Sequence, residues 1–136
     1  MTVSRRKARE LALQILYQID YTNQSSRDAV PLFFSHFCLN KDLNEFTTRL
    51  VQGVEAYENG IDKLLREYSE HWALDRMSRV DRNILRMATF EILWCPDIPP
   101  NVSINEAIEL GKKFSTDKSA LFINGVLDKI LHSKTK

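Results

Sequence analysis

The sequence predicts an all-α protein, and three observations carry that prediction. Apolar residues recur every three or four positions along most of the chain, the spacing of helices that each bury one face. Ser78-Arg79-Val80-Asp81 and Ser103-Ile104-Asn105-Glu106 have the form of capping boxes, which start helices. Only 4 Gly and 4 Pro occur in 136 residues, too few for a turn-rich β protein, and no strand candidate emerges from the spacing.

Six helices follow in order. In the first, over about residues 5–19, Ala8, Leu11, Ala12, Ile15 and Ile19 form the buried stripe and Ser4 is the N-cap. Residues 20–26 (DYTNQSS) read as a polar loop. A shorter helix runs from about Arg27 to Cys38, capped by Ser26 or Asp28, and it tolerates Pro31 only because that residue is near its start. Phe46, Leu50, Val54, Tyr57, Ile61, Leu64, Tyr68 and Trp72 keep helical phase through Asn59-Gly60. A single long helix is therefore expected from about Asp42 to Glu70, with Gly60 permitting close packing or a slight bend. Ser78 opens a helix to about Trp94, and CPDIPP breaks it. Ser103 opens the next, to about Phe114, and after the turn STDK a last helix covers about Lys118 to Leu131. In that helix Asn124 can bond across an interface, and Gly125 can admit a neighbouring helix.

Length allows one domain, or two small subdomains sharing a core. No run of 18 apolar residues exists, so no membrane span is expected, and the N-terminus lacks the apolar block of a signal peptide. Cys38 and Cys95 are far apart, and His36, His71 and His132 are scattered. Reduced cysteines, a cytoplasmic location and no metal site are the expectation. Net charge is only +1, but it is distributed unevenly. Residues 1–9 carry four bases and no acid. Residues 112–136 hold six lysines against Asp117 and Asp128, and the middle of the chain is acidic. Such asymmetry gives a nearly neutral protein a basic patch if the two ends meet.

Cations at a helix N-terminus oppose the macrodipole, so Arg5, Arg6, Lys7 and Arg9 are held there either at a small cost or for an anion. On a helical wheel Arg5 and Arg9 flank the apolar arc, while Arg6, Leu13 and Tyr17 lie on the far side beside Glu10 and Gln14. A guanidinium and an aromatic ring on one exposed face suit phosphate contact and base stacking. A solvated charged face, or a dimer interface burying Leu13 and Tyr17, fits the same pattern. Arg79, Arg82 and Arg86 form a second stripe, opposite Val80, Ile84, Met87 and Ala88, able to meet phosphates, an acidic partner or nearby acids. Asp81 is explained as a cap. Glu91 points into the apolar arc as a buried carboxylate, needing an arginine or a helix-terminal amide. Lys112, Lys113 and Lys118 would enlarge any basic surface nearby. No catalytic, phosphate-loop or metal motif appears, so neither an enzyme nor a cofactor is expected.

RRKARELALQILYQ, SRVDRNILRMATFEIL, VSINEAIELGKKFS and FINGVLDKIL, in that order, resemble the sequence blocks of the bacterial transcription antitermination factor NusB family, from end to end of the chain. The resemblance implies a single NusB-like domain of two small helix bundles, about residues 1–70 and 71–136, joined by the long central helix, without catalysis. It implies an RNA-binding factor that pairs with ribosomal protein NusE, holds the boxA element of nascent rRNA, and works with RNA polymerase and other Nus factors. The RNA-facing residues it implies are Arg5, Arg6, Lys7, Arg9, Tyr17, Arg82, Lys113, Lys118 and Phe122. Asp81, with Arg79 and Arg86 on the same helix, lies toward the partner-facing side. Lys118 stands where relatives can have an acid, which should strengthen phosphate attraction. The free protein is a monomer or a homodimer on this reading.

Overall fold

A computed structural model describes residues 5–36, 41–69 and 73–134. Its helices are α1 (Arg5–Thr22), α2 (Ser26–His36), α3 (Lys41–Tyr68), α4 (Arg79–Trp94), α5 (Pro100–Phe114) and α6 (Asp117–Lys134), with a 3-10 turn at Leu74–Arg76. No strand occurs among the described residues. Ser4, Cys38, Glu70, His71 and Trp72, which figured in the sequence reading, lie outside them. The chain forms two compact units, Met1–Ala56 and Tyr57–Lys136, with the boundary between them inside α3.

In the first unit, Ala8, Leu11, Ala12 and Ile15 of α1, Ala29, Val30 and Phe33 of α2, and Leu43, Phe46, Leu50 and Val51 of α3 are buried. α1 runs three residues beyond its expected end. It stops where Asn23 adopts a left-handed conformation (φ 62°) and donates its backbone N–H to the Ile19 carbonyl (2.7 Å). The start of α2 is satisfied from a distant residue. The Glu55 carboxylate of α3 accepts from the Ser26 backbone N–H (2.6 Å) and from its hydroxyl (2.7 Å). An acid is favourable there, where a helix leaves amides unpaired and carries partial positive charge. Thr47, fully buried, donates to the Ala8 carbonyl (3.3 Å), linking α3 to α1.

α3 is long, as expected, but its backbone is not uniformly helical. Tyr57 has φ −111° and ψ 15°, outside the helical region, so the helix is kinked there and not at Gly60. The expected stripe changes at the same place. Tyr57 is exposed and its ring stacks on Trp94 of α4 (centroids 4.3 Å apart, planes at 11°), while Ile61 and Leu65 carry the buried face onward.

In the second unit α4 packs against both α5 and α6, which also pack on each other. Ser78 caps α4 as the sequence predicts, its hydroxyl accepting from the Asp81 backbone N–H (3.1 Å). α5 begins three residues before the expected Ser103. Pro100 occupies its first turn, where a missing N–H costs nothing and φ is already preset. Ser103 is consequently inside the helix and buried, and its hydroxyl donates to the buried Glu91 carboxylate (2.9 Å). Glu91 was expected to find an arginine or a helix-terminal amide; Ser103 supplies this contact.

The glycines correct another expectation. A Cβ added at Gly60 or Gly125 would meet nothing within 4 Å, so neither provides a close approach. The tight crossing is at Gly111 of α5, where a Cβ would lie 3.1 Å from Ile123 Cδ1 and 3.3 Å from Ala120 Cα of α6. Replacing Gly60 or Gly125 by Ala should raise stability by about 0.5–1 kcal/mol, because alanine is the better helix former and restricts the unfolded chain. Gly111→Ala should be less stable than either by about 1 kcal/mol or more, because Ile123 and Ala120 must shift to admit the Cβ and that offsets the same gain in helix propensity. Urea denaturation of the three variants checks the order.

Candidate nucleic-acid interface

α1 begins with cations and has no acid in its first turn. The helix separates these cations according to the core. Positions at wheel angles shared with Ala8, Leu11, Ala12 and Ile15 face inward, and the buried arc extends to include Arg9, Leu13 and Leu16. Arg9 is only 3% exposed, and its guanidinium carbon lies 5.4 Å from the centre of the Phe46 ring. Arg5 lies over the same ring at 4.4 Å with its side chain at the surface. A ring face attracts a cation by about 0.5–2 kcal/mol, more as water is excluded. Both arginines therefore share the Phe46 ring. Two expectations change. Arg9 is not a surface cation, and Leu13, expected on the exposed face, is buried because the inward arc of α1 is wider than its aliphatic stripe suggests.

The outward face keeps Arg6 and Lys7 near its start, Gln14 and Gln18 along it, and Tyr17, 43% exposed, toward its end. Glu10, half-buried, is the one acid among the outward positions from Arg6 to Gln18. That face combines cations with an aromatic ring and carries no exposed aliphatic side chain. The sequence reading placed Tyr21 in a loop. The structure puts it on the last turn of α1, 67% exposed.

The second unit has its own basic hollow, formed where the N-termini of α4 and α6 converge. Ser78 and Asp81 line it from α4, Thr116, Lys118, Ser119 and Phe122 from the start of α6, and Arg76 and Met77 from the preceding turn. Thr116 Oγ1 accepts from the Ser119 backbone N–H (2.9 Å), a side-chain cap for α6. The Ser119 hydroxyl donates to Asp81 Oδ2 (2.8 Å), tying the two helix starts together. Lys118 is exposed and Phe122 half-buried on this wall. Helix N-termini with cations beside them suit an anion. Asp81, expected as a cap, does not cap with its side chain: Ser78 does, accepting from the Asp81 backbone N–H, and Asp81 Oδ2 accepts from Ser119 instead. The Thr116 hydroxyl was missed because STDK was read only as a turn, although a Thr three residues before a helix-turn amide is itself a capping signal, and Ser119 lay in the expected last helix with no role given to it.

The expected arginine stripe of α4 does not stand in solvent. Arg79 is exposed, Arg82 is half-buried with Nη1 donating to the Leu74 carbonyl (3.3 Å), and Arg86 is only 8% exposed. Arg86 donates from Nε and Nη2 to the two oxygens of Asp62 (2.8 and 2.9 Å), and Glu58 lies 3.8 Å from Nη1. The wheel missed this because it saw α4 alone. Residues of α3 cover the polar side of α4 and bring an acid with them. Arg86 is therefore a buried structural cation and not a surface for an external acidic partner. Lys113 is exposed at the end of α5, its ammonium 5.4 Å from the centre of the Phe114 ring. Among the described residues no group of three or more His, Cys, Asp or Glu could hold a metal, and no helix is long and apolar enough to cross a membrane.

The NusB family model matches residues 6–132. The chain is 49% identical over 126 residues to the transcription antitermination protein NusB of Desulfatibacillum aliphaticivorans, an alignment covering 93% of this chain and 88% of the relative. Among solved structures, T. maritima NusB superposes with a TM-score of 0.86 at 36% identity, over 97% of this chain and 93% of that one. A chain from the complex of antitermination factors NusB and NusE with dsRNA superposes with a TM-score of 0.85 at 27% identity, over 95% and 96% of the two chains.

The burial of Arg9 and the exposure of Arg6 lead to opposite expectations for one substitution. Arg9→Glu should cost about 3 kcal/mol or more, because it buries a carboxylate against the face of Phe46. Arg6→Glu should change stability by no more than about 0.5 kcal/mol. Denaturant midpoints of the two variants give the comparison.

Proposed function

Because this chain belongs to the NusB family, we propose that it is a cytoplasmic, RNA-binding transcription antitermination factor. With ribosomal protein NusE it holds the boxA element of nascent rRNA, within an RNA polymerase complex that includes other Nus factors. The carrying observation is the outward face of α1, where Arg6 and Lys7 share an exposed surface with Tyr17. Single-stranded RNA offers both things that such a face can use: phosphates for the cations and unstacked bases for the ring. The hollow at the starts of α4 and α6, with Lys118 and Phe122, is the matching surface of the second unit. Lys113 adds positive charge at the end of α5. The solved complex of a related chain with NusE and dsRNA supports both partners.

The residues divide by role on this reading. Arg6, Lys7 and Lys118 attract phosphate, and Tyr17 and Phe122 offer stacking surfaces. Arg5 lies over Phe46 at the edge of the first surface, and Arg9 anchors the helix that presents it. Asp81 lines the hollow and, with Arg82 and the exposed Arg79, adjoins the NusE-facing side. No step of this activity makes or breaks a covalent bond.

The test is a charge reversal confined to exposed positions, Arg6→Glu with Lys7→Glu. Fluorescence anisotropy with a labelled boxA RNA, with and without NusE, should show affinity falling at least about tenfold. The dependence of log K on log salt should become shallower by about 1.4, since each single-strand phosphate contact contributes roughly 0.7. Circular dichroism and NusE association should be unchanged. RNA affinity equal to that of the unaltered protein would remove the RNA reading. It would favour a helical interaction module, or a homodimer, using this face.

A further inference from the structure

We propose that Tyr21 is an additional base-stacking residue, extending the single-strand track on α1 by one helical turn beyond Tyr17; this rests on the RNA reading above. The four-residue spacing places the two rings on neighbouring turns of one face. At 1.5 Å rise per residue they are separated by about 6 Å along the axis, a step of roughly one nucleotide in an unstacked strand. Arg6, Glu10, Tyr17 and Tyr21 fall within about 60° of one another around the helix. Tyr21 is the more exposed of the two rings, at 67% against 43% for Tyr17.

What surrounds the rings identifies the occupant. A single strand asks of such a face cations for its phosphates and open rings for its bases, with polar side chains beside them. The outward positions here are Gln14 and Gln18, with the half-buried Glu10 a turn nearer the start and Arg6 and Lys7 farther back along the same side. Polar amides beside two rings and cations at one end match a strand whose phosphates meet Arg6 and Lys7 and whose bases lie over the tyrosines. The distribution of charge agrees with that direction. The last turn of α1 has no base, and a helix C-terminus disfavours phosphate, so the contribution at Tyr21 is stacking without charge neutralisation.

That difference makes the proposal testable apart from the reading on which it rests. Tyr21→Ala, Tyr21→Phe and Tyr21→Trp would be compared with Arg6→Glu/Lys7→Glu in anisotropy titrations against a labelled boxA RNA and a uridine homopolymer of equal length. Tyr21→Ala should weaken both RNAs about five- to tenfold, within the range of losing one base–aromatic stack, and leave the salt slope unchanged. Tyr21→Phe should retain affinity, because the hydroxyl is not needed, and Tyr21→Trp should equal or exceed it. If the unaltered protein binds and the charge reversal weakens it, yet Tyr21→Ala binds as the unaltered protein does, the inference fails while the RNA reading stands. If the unaltered protein binds neither RNA, both fail. If Tyr21→Ala leaves RNA binding intact but turns a dimer into a monomer in sedimentation, Tyr21 belongs to a self-association surface and the inference is overturned.

Discussion

Ten consecutive residues of α4, from Asn83 to Ile92, are buried, and this burial governs the second unit. A helix covered on every side cannot leave a charge unpaired within it, because an isolated buried ion costs several kcal/mol. α4 has two ionisable side chains in this stretch, Arg86 and Glu91, and each meets a different element. Arg86 takes both oxygens of Asp62 from α3, and Glu91 takes the hydroxyl of Ser103 from α5. These contacts fix which residues of α3 and α5 face α4. Ser103 reaches Glu91 from inside α5, which starts at Pro100.

The same constraint sorts the cations into two kinds. Arg9 and Arg86 are anchored in the interior, one over Phe46 and one against Asp62. Arg6, Lys7, Lys113 and Lys118 remain at the surface. The basic start of α1 therefore has a divided explanation. Part of its charge is stabilised by an aromatic face inside the protein, which offsets the unfavourable helix dipole. The rest faces outward, where phosphate would offset it. A family-level reading that treats the Arg-rich segment as one motif joins residues with different physical work.

The small residues follow packing more than sequence pattern. Asn-Gly pairs at 59–60 and 124–125 draw the eye, yet both glycines are surrounded by open space. Gly111, in an ordinary helical stretch, is where α5 and α6 come closest. The kink in α3 likewise falls at Tyr57, whose ring stacks on Trp94, and not at the glycine. Tyr21 was hidden by a related difficulty. A polar run, DYTNQSS, reads as a loop, whereas α1 continues to Thr22 before the left-handed Asn23 ends it, and Tyr21 lies on its outer face.

The sequence by itself determined the all-α class, the six helices in order, the Ser78 cap, and the outward placement of Arg6 and Tyr17. Each depends on local periodicity or on groups within a turn of one another, and those interactions are written directly in residue spacing. Tertiary structure alone decided that Arg9, Leu13 and Arg86 are buried, that Ser119 joins Asp81, and that Gly111 is the tight crossing. For Arg9, Arg86, Ser119 and Gly111 the deciding contact is with a second segment of the chain: Phe46, Asp62, Asp81 and Ile123. A helical wheel gives the direction of a side chain from its own axis, but whether another helix or water lies in that direction is settled only by packing.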